Sequence, residues 1–374
     1  MTMEERNERL EHQNRRMKAA VAVMVLVVAG AWSCQSNDRQ CRPLSAGERR
    51  TIAVGESPNK LRLTADGTRL LVLTAETISV IDLRTCQETA RISPPVRLVD
   101  GDGSPTYGYL SGFDLDNATD TLWVVSSEGQ IFTVNLQSRE YETVFEDNSL
   151  FINDVVWDES RRRAILATAG RTIYAYANGT LDAIARARFP EVVRVKIQGS
   201  LLYFISSVEV LWGRGKRVTS VGSLDLKRDV VLHEKVLDTG TAHDLIVVGD
   251  RRVWVTDSGY DRLLEFGPDM QVRSTRPTPD FSPYRIASNC TRALVVQLGT
   301  PLTPVLEYHV SRGRLTDFPI REYPAGKGSP WSAIPLPGGG IAAVLDDPDI
   351  VVLIHGKDGR PFSGFSTDYC PEPD

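Results

Sequence analysis

The chain has 374 residues, 41% of them hydrophobic and 24% charged, an ordinary balance for a globule with a sizeable core. A net charge of −5, with no basic run and no interleaved basic and aromatic pattern, lacks the footprint of a nucleic-acid binder. None of the five cysteines falls in CxxC or CxxCH spacing, which argues against a zinc knuckle, a thioredoxin-type redox pair and covalently attached haem.

The first predicted element is an export segment. Arg15, Arg16 and Lys18 form a positive flank, and the fifteen residues Ala19–Ser33 are an unbroken apolar or small-residue run ending at Cys34. At 1.5 Å rise per residue such a run falls short of the roughly 30 Å hydrocarbon core, so a cleaved signal is expected rather than a permanent span. Ala31-Trp32-Ser33-Cys34 resembles a bacterial lipobox, although Leu is usual where Ala31 stands and a small residue where Trp32 stands. The resemblance implies that Cys34 becomes the first residue of the mature chain and carries the lipid, palmitate included; an ordinary signal peptide with Cys34 unmodified is the alternative. In such lipoproteins an Asp after the Cys favours inner-membrane retention. Gln35 stands there, so the implied address is the outer membrane, facing the periplasm or the surface. Met17 opens a segment that is a signal of normal length by itself and is a second candidate start. Residues 1–33 read as signal, 34–48 as tether, 49–370 as one domain and 371–374 as a tail.

From there the chain repeats. Apolar strands read RLLVLTAE from Arg69, TLWVVSSE from Thr121, RRAILATAG from Arg162, SLLYFISS from Ser200, RRVWVTDSG from Arg251, RALVVQLG from Arg292 and GIAAVLDD from Gly340. Aligned on Leu70, Leu122, Ala164, Leu201, Val253, Leu294 and Ile341, they stand 52, 42, 37, 52, 41 and 47 residues apart. A period of about 45 built from strands alone predicts an all-β fold, a seven-bladed β-propeller, with six or eight blades as alternatives. In the first repeat Leu61 and Leu63 alternate in an inner strand, Asp66-Gly67 makes a hairpin turn, and Leu70–Thr74 is a buried second strand. Ile78, Val80 and Leu83 follow in a third strand, with Ala90 and Ile92 in an outer one. This repeat resembles the YVTN propeller repeat, and AHDLIVVGDRRVWVTDSGYDRLLEFGPDM from Ala242 resembles the NHL repeat. Together they cover about a fifth of the chain and imply the fold, not an activity. A closed ring needs a latch to protect the end blades. Thr51–Val54 is expected to supply a strand of the last blade, with Pro361–Phe365 as a second candidate.

Four cysteines remain after Cys34. In an exported chain Cys41, Cys86, Cys290 and Cys370 suggest disulfides with three possible pairings, of which Cys41 with Cys86 and Cys290 with Cys370 suit the expected ring closure. Three long insertions, Ser93–Ser111, Val208–Val221 and Arg321–Pro330, fall on connections that share one face of a propeller. They bring Tyr107, Tyr109, Trp212 and Tyr323, with Trp331 beside them, as candidate binding residues. Loops folded over the channel mouth, with these aromatics as their own small core, are the alternative.

Polar residues at the starts of inner strands are expected near the central channel: Asn59, Asp114, Asn153 with Asp154, Glu191, His243 with Asp244, and Arg285. Propeller lactonases similar to the SMP-30 family use a Glu, an Asn and an Asp on the axis for a divalent ion. That resemblance implies Glu191, Asn153 and Asp244, with His243 beside them, as ligands for Ca²⁺ or Zn²⁺. The alternative is that these groups line a hydrated channel and bond to strand ends. His233 and His309 lie in outer-strand patterns and His355 in a polar turn, no GxSxG occurs, and Gly338-Gly339-Gly340 precedes a strand, so neither a nucleophile nor a phosphate cradle is indicated. Two functions remain. The first is a lipid-anchored envelope module with no cofactor, binding a protein, glycan or small molecule through its loop-rich face. The second is a periplasmic hydrolase or lyase with a channel metal.

Overall fold

A computed structural model describes residues 49–354, apart from 97–99, 102–103, 106–107, 211–215, 238–240, 250, 279–280, 290, 298–303, 312–313, 317–318, 320, 325–327 and 347–348. The expected signal, tether and tail, with Cys34, Cys41, Tyr107, Trp212, Cys290, His355, Pro361–Phe365 and Cys370, lie outside the described residues. Among the described residues every regular element is a strand except one 3₁₀ turn at Pro337–Gly339, and no helix is long and apolar enough to cross a membrane.

The strands form a seven-bladed β-propeller, each blade an antiparallel sheet whose strands follow one another outwards. Blade one holds Lys60–Leu63, Arg69–Leu73, Ile78–Asp82 and Gln87–Ile92; blade two holds Leu110–Asp116, Thr121–Ser126, Gln130–Asn135 and Tyr141–Glu146. Blade three is Ile152–Asp158, Arg163–Thr168, Thr172–Ala177 and Thr180–Arg186; blade four is Glu191–Gln198, Leu201–Val210, Lys216–Asp225 and Val230–Leu237. Blade five is Ala242–Val248, Arg252–Asp257, Arg262–Phe266 and Val272–Pro277; blade six is Pro283–Ser288, Arg292–Gln297, Pro304–Ser311 and Arg321–Pro324. Blade seven takes Ser329–Pro335, Ile341–Asp346 and Ile350–Ile354 from the end of the chain and Arg49–Ala53 from its start. Each apolar run identified in the sequence is the second strand of its blade. Such a strand is covered on both faces, which is why Leu70, Leu71, Val72 and Leu73 are all fully buried and do not alternate. Outer strands have one wet face, and Gln87–Ile92 alternates accordingly.

Closure follows the expectation for the N-terminal segment. Ile52 pairs with Val351 and Arg49 with Ile354, so the chain's first described strand becomes the outer strand of its last blade and covers that edge. The core consists of slabs between consecutive blades. Leu71, Leu73 and Ile78 of blade one meet Leu110, Phe113 and Leu122 of blade two, and Trp254 and Leu263 of blade five meet Ile286 and Ala293 of blade six. Each Leu, Ile or Phe among them contributes about 1.5–3 kcal/mol when fully buried. The Arg that opens several second strands adds polar ties between blades. Arg69 makes a two-pronged pair with Asp120 of blade two at 2.7 and 2.8 Å, and Arg163 reaches Asp229 and the Leu226 carbonyl of blade four. Arg292 donates to the Gly340 carbonyl of blade seven at 3.0 Å.

Three details differ from the expectation. Arg321–Pro324 is not part of a loop but the outer strand of blade six, pairing with Pro304–Glu307. Tyr323 therefore lies in the blade, 4% exposed, with its hydroxyl donating to Glu307 at 2.6 Å and accepting from Arg321 and Arg292. The Val208–Val221 insertion is largely strand, since Leu201–Val210 and Lys216–Asp225 run past the blade as a paired ribbon. His309 sits in the third strand of blade six, not in an outer one.

Candidate functional site: the mouth of the central channel

Inner strands start at the face that also carries the blade-to-blade crossings, here called the crossing face; first-to-second and third-to-fourth turns lie on the opposite, turn face. In blades two to seven the inner strand slips register at its crossing-face end, where extra residues bulge out of the pairing. A bulge re-aims the side chains around it. The bulged residues are Ser111, Asn153, Val193, His243 with Asp244, Tyr284 and Trp331.

In blades two and three this residue ties neighbouring inner strands together. Ser111 Oγ donates to the Ile152 carbonyl at 2.6 Å, and Asn153 Nδ2 donates to the Val192 carbonyl at 2.9 Å. Inner-strand carboxylates make a second set of ties to the next blade. Asp114 accepts from the Trp157 amide at 2.7 Å, Asp154 from Val195 at 3.5 Å and Asp244 from Ile286 at 3.2 Å. Each satisfies a backbone donor on an innermost strand, which has a neighbouring strand on one side only.

The carboxylates are also met by an excess of cations. Lys60 Nζ donates to Asp154 Oδ1 at 2.6 Å, Arg62 pairs with Asp114, and Arg194 Nε stands 3.9 Å from Asp244 Oδ1. Lys60 belongs to blade one and Asp154 to blade three, so the contact passes over blade two. Gly112 makes that possible: a Cβ there would come within 2.9 Å of both Asp154 Cα and Asp154 Oδ1. The lysine crosses the Phe113 ring on its way, 5.6 Å from the centroid. Burial pulls Lys60 down to about 8 despite its attraction to Asp154, with the Lys196 and Arg194 charges pushing the same way. Burial alone would raise Asp154, but Lys60, Arg194 and Lys196 outweigh it and hold the carboxyl at about 2. Arg285 is likewise lowered, by burial first and then by Arg194, with Asp244 opposing. A carboxylate held low beside two cations pushed down is the signature of a confined site with surplus positive charge.

Blades five, six and seven differ at the bulge: they place rings there. His243 and Tyr284 lie with centroids 4.4 Å apart, Tyr284 and Trp331 6.4 Å apart and edge-on, and the Arg285 guanidinium packs 5.4 Å from the Tyr284 centroid. His243 Nε2 shares a 2.8 Å hydrogen bond with Ser258 Oγ, which fixes the ring. One arc of the mouth is therefore aromatic and the other is closed by small polar ties.

Of the binding residues expected from sequence, Trp331 belongs to this arc, and Tyr109, 46% exposed, precedes the inner strand of blade two on the same face. The four residues considered as metal ligands have other partners. Asn153 and Asp244 hold the next blade's backbone, His243 holds Ser258, and Glu191 accepts from Ser207 Oγ at 2.9 Å. Among the described residues no group of three or more His, Cys, Asp or Glu is placed to hold a metal ion. Lys60, Arg194, Lys196 and Tyr284 were not singled out in the sequence. Cys86, 5% exposed, lies at the third-to-fourth-strand turn of blade one, on the turn face. A separate cleft of about 450 Å³ on the turn face is lined by Arg252, Gly267, Pro268, Arg273 and Arg314. Two of its arginines are already paired, Arg252 with Glu265 and Arg273 with Asp269.

No protein-family model matches the sequence, and no curated protein matches it. Among solved structures, the chain is similar to Kuenenia stuttgartiensis hydrazine synthase, at 15% identity and a TM-score of 0.65, over 82% of this chain and 98% of that one. It is similar to a chain of the mitotic checkpoint complex at 10% identity and a TM-score of 0.66, over 86% and 94% of the two chains. Chaetomium thermophilum Raptor matches at 14% identity and a TM-score of 0.63, over 83% of this chain but 29% of that one. At these identities the likeness is one of fold.

Proposed function

We propose that the protein is a lipid-anchored propeller of a bacterial cell envelope that binds a protein, glycan or small-molecule partner through its crossing face. The observation that carries this reading is the channel mouth, where an aromatic arc stands over surplus positive charge while Asn153 and Asp244 bond to strand backbones and Glu191 to Ser207. Arg49 enters blade seven at the turn face, opposite the end of its third strand at Ile354. Cys86 lies on the same turn face, in the blade next to the one Arg49 joins, which favours pairing with Cys41.

Labelling with palmitate tests the anchor: wild type is expected to take up label and Cys34→Ser to lose it, and equal label in both removes the localisation. Metal analysis of the purified protein tests the binding role. A stoichiometric divalent ion that disappears in Asp244→Ala would replace this reading with the channel-metal hydrolase.

A further inference from the structure

The two arginines at the mouth carry an unmet requirement. The Nε atoms of Arg194 and Arg285 are both shielded from solvent, and among the described residues neither has a hydrogen-bond acceptor. The nearest carboxylate to Arg194 Nε is Asp244, at 3.9 Å, beyond hydrogen-bond range. Asp244 directs its oxygens to the Leu245 and Ile286 amides instead, at 3.0 and 3.2 Å. Buried charged donors without acceptors are costly and rare, and they are frequently explained by an ion that belongs at the site. The Arg194 charge also opposes that of Arg285, so an anion between them would relieve repulsion as well as supply acceptors. Arg285 lies against the Tyr284 ring, which connects this cationic pair to the His243–Tyr284–Trp331 arc. Rings in that position offer a stacking surface for a flat group at the distance of one bond or two from the anion.

We infer that the channel mouth binds a small anion carried on a planar ring, an aromatic carboxylate or an aryl phosphate, with Arg194 and Arg285 holding the anionic group and Tyr284 and Trp331 stacking the ring. This deepens the reading of the crossing face as the binding face by naming a ligand class for it. It requires nothing of the lipid anchor.

The test is calorimetric titration of the full chain in detergent with phenyl phosphate, benzoate, inorganic phosphate and phenol. At least one of the two aryl anions is expected to saturate a single site, with inorganic phosphate about tenfold weaker and phenol without saturable heat. Whichever aryl anion binds more tightly identifies the preferred head group. Arg285→Gln should weaken the aryl anion by about 10- to 100-fold, the range for a charge-assisted hydrogen bond. Tyr284→Leu should bring the aryl anion down to the level of inorganic phosphate and leave inorganic phosphate unchanged. If Arg285→Gln fails to fold by circular dichroism, Arg285→Lys keeps the charge but removes the fork of donors, and a several-fold loss is expected. The inference is overturned if neither aryl anion saturates, or if the folded arginine variant binds as wild type does. Failure of palmitate labelling would remove the anchor and leave these titrations standing; failed titrations with intact labelling would remove this site alone.

Discussion

Removing either partner of the Lys60–Asp154 pair has unequal effects on stability, and the inequality follows from the charges around them. Asp154 has a side chain 2% exposed and is approached by Lys60, Arg194 and Lys196. Asp154→Asn leaves those cations without their common counter-charge, and breaking a buried pair in this way costs about 3–5 kcal/mol. Lys60→Met is different. It removes an ammonium whose descent from 10.5 to about 8, already net of its attraction and hydrogen bond to Asp154, marks a cost on the order of 3 kcal/mol, while Arg194 and Lys196 still compensate the carboxylate. Lys60→Met is therefore expected to be at least as stable as wild type. Urea unfolding followed by circular dichroism at pH 7 measures both. The pH dependence provides a second reading. Between pH about 8 and 10.5 the unfolded chain keeps a proton that folded Lys60 has released, so wild-type stability rises as pH climbs through that window. Lys60→Met abolishes this contribution. Asp154 acts at the other end: its contribution is present above 3.8 and is lost as pH falls through about 2. If Lys60→Met proves as damaging as Asp154→Asn, or keeps the full alkaline rise, the idea of a cationic surplus at this site is wrong.

Gly112→Ala places a Cβ 2.9 Å from the Asp154 backbone and side chain, and should cost about 1–3 kcal/mol in urea unfolding while displacing the Lys60 contact. Tyr323→Phe removes a hydroxyl bonded to Glu307, Arg292 and Arg321 inside blade six, with an expected loss of about 1–3 kcal/mol by thermal melting; no loss would show that the cluster is not closed. Ile52→Asp puts a charge into the latch strand opposite Val351, and the released edge should appear as faster hydrogen exchange confined to blade seven before global unfolding.

Legibility followed locality. Second strands could be read from sequence because each is a short apolar run between an Arg or a small turn residue and a polar turn, and the whole signal lies within one window. Inner-strand register could not. Nothing in the sequence marks Arg194 as a channel residue, yet it approaches Asp244 there. One extra residue at the crossing-face end reverses which side chains face the channel, and at Val193 or Tyr284 nothing in the composition marks it. Tyr323 is hidden in the sequence because its strand has four residues, ends in Pro324 and follows a turn-rich stretch, so it carries no periodicity. The contact of Lys60 with Asp154 depends on a missing side chain in the blade between them, a condition no local pattern can express.

The polar groups at the mouth divide by what the ring needs. A propeller must hold its inner strands together around an open axis, where the slabs of core between blades do not reach. Ser111, Asn153, Asp114, Asp154 and Asp244 do so by bonding the inner strand of blade two to that of three, three to four and five to six. His, Tyr and Trp at the bulges of blades five to seven cannot make the same short tie; they stack across the gap instead and leave ring faces at the mouth. Lys60 and Arg62 reach Asp154 and Asp114 beside these ties, whereas Asp244 turns its oxygens to the Leu245 and Ile286 amides, and the Nε atoms of Arg194 and Arg285 are left without an acceptor among the described residues. The binding proposed for this mouth therefore rests on closure by stacking standing in for closure by hydrogen bonds.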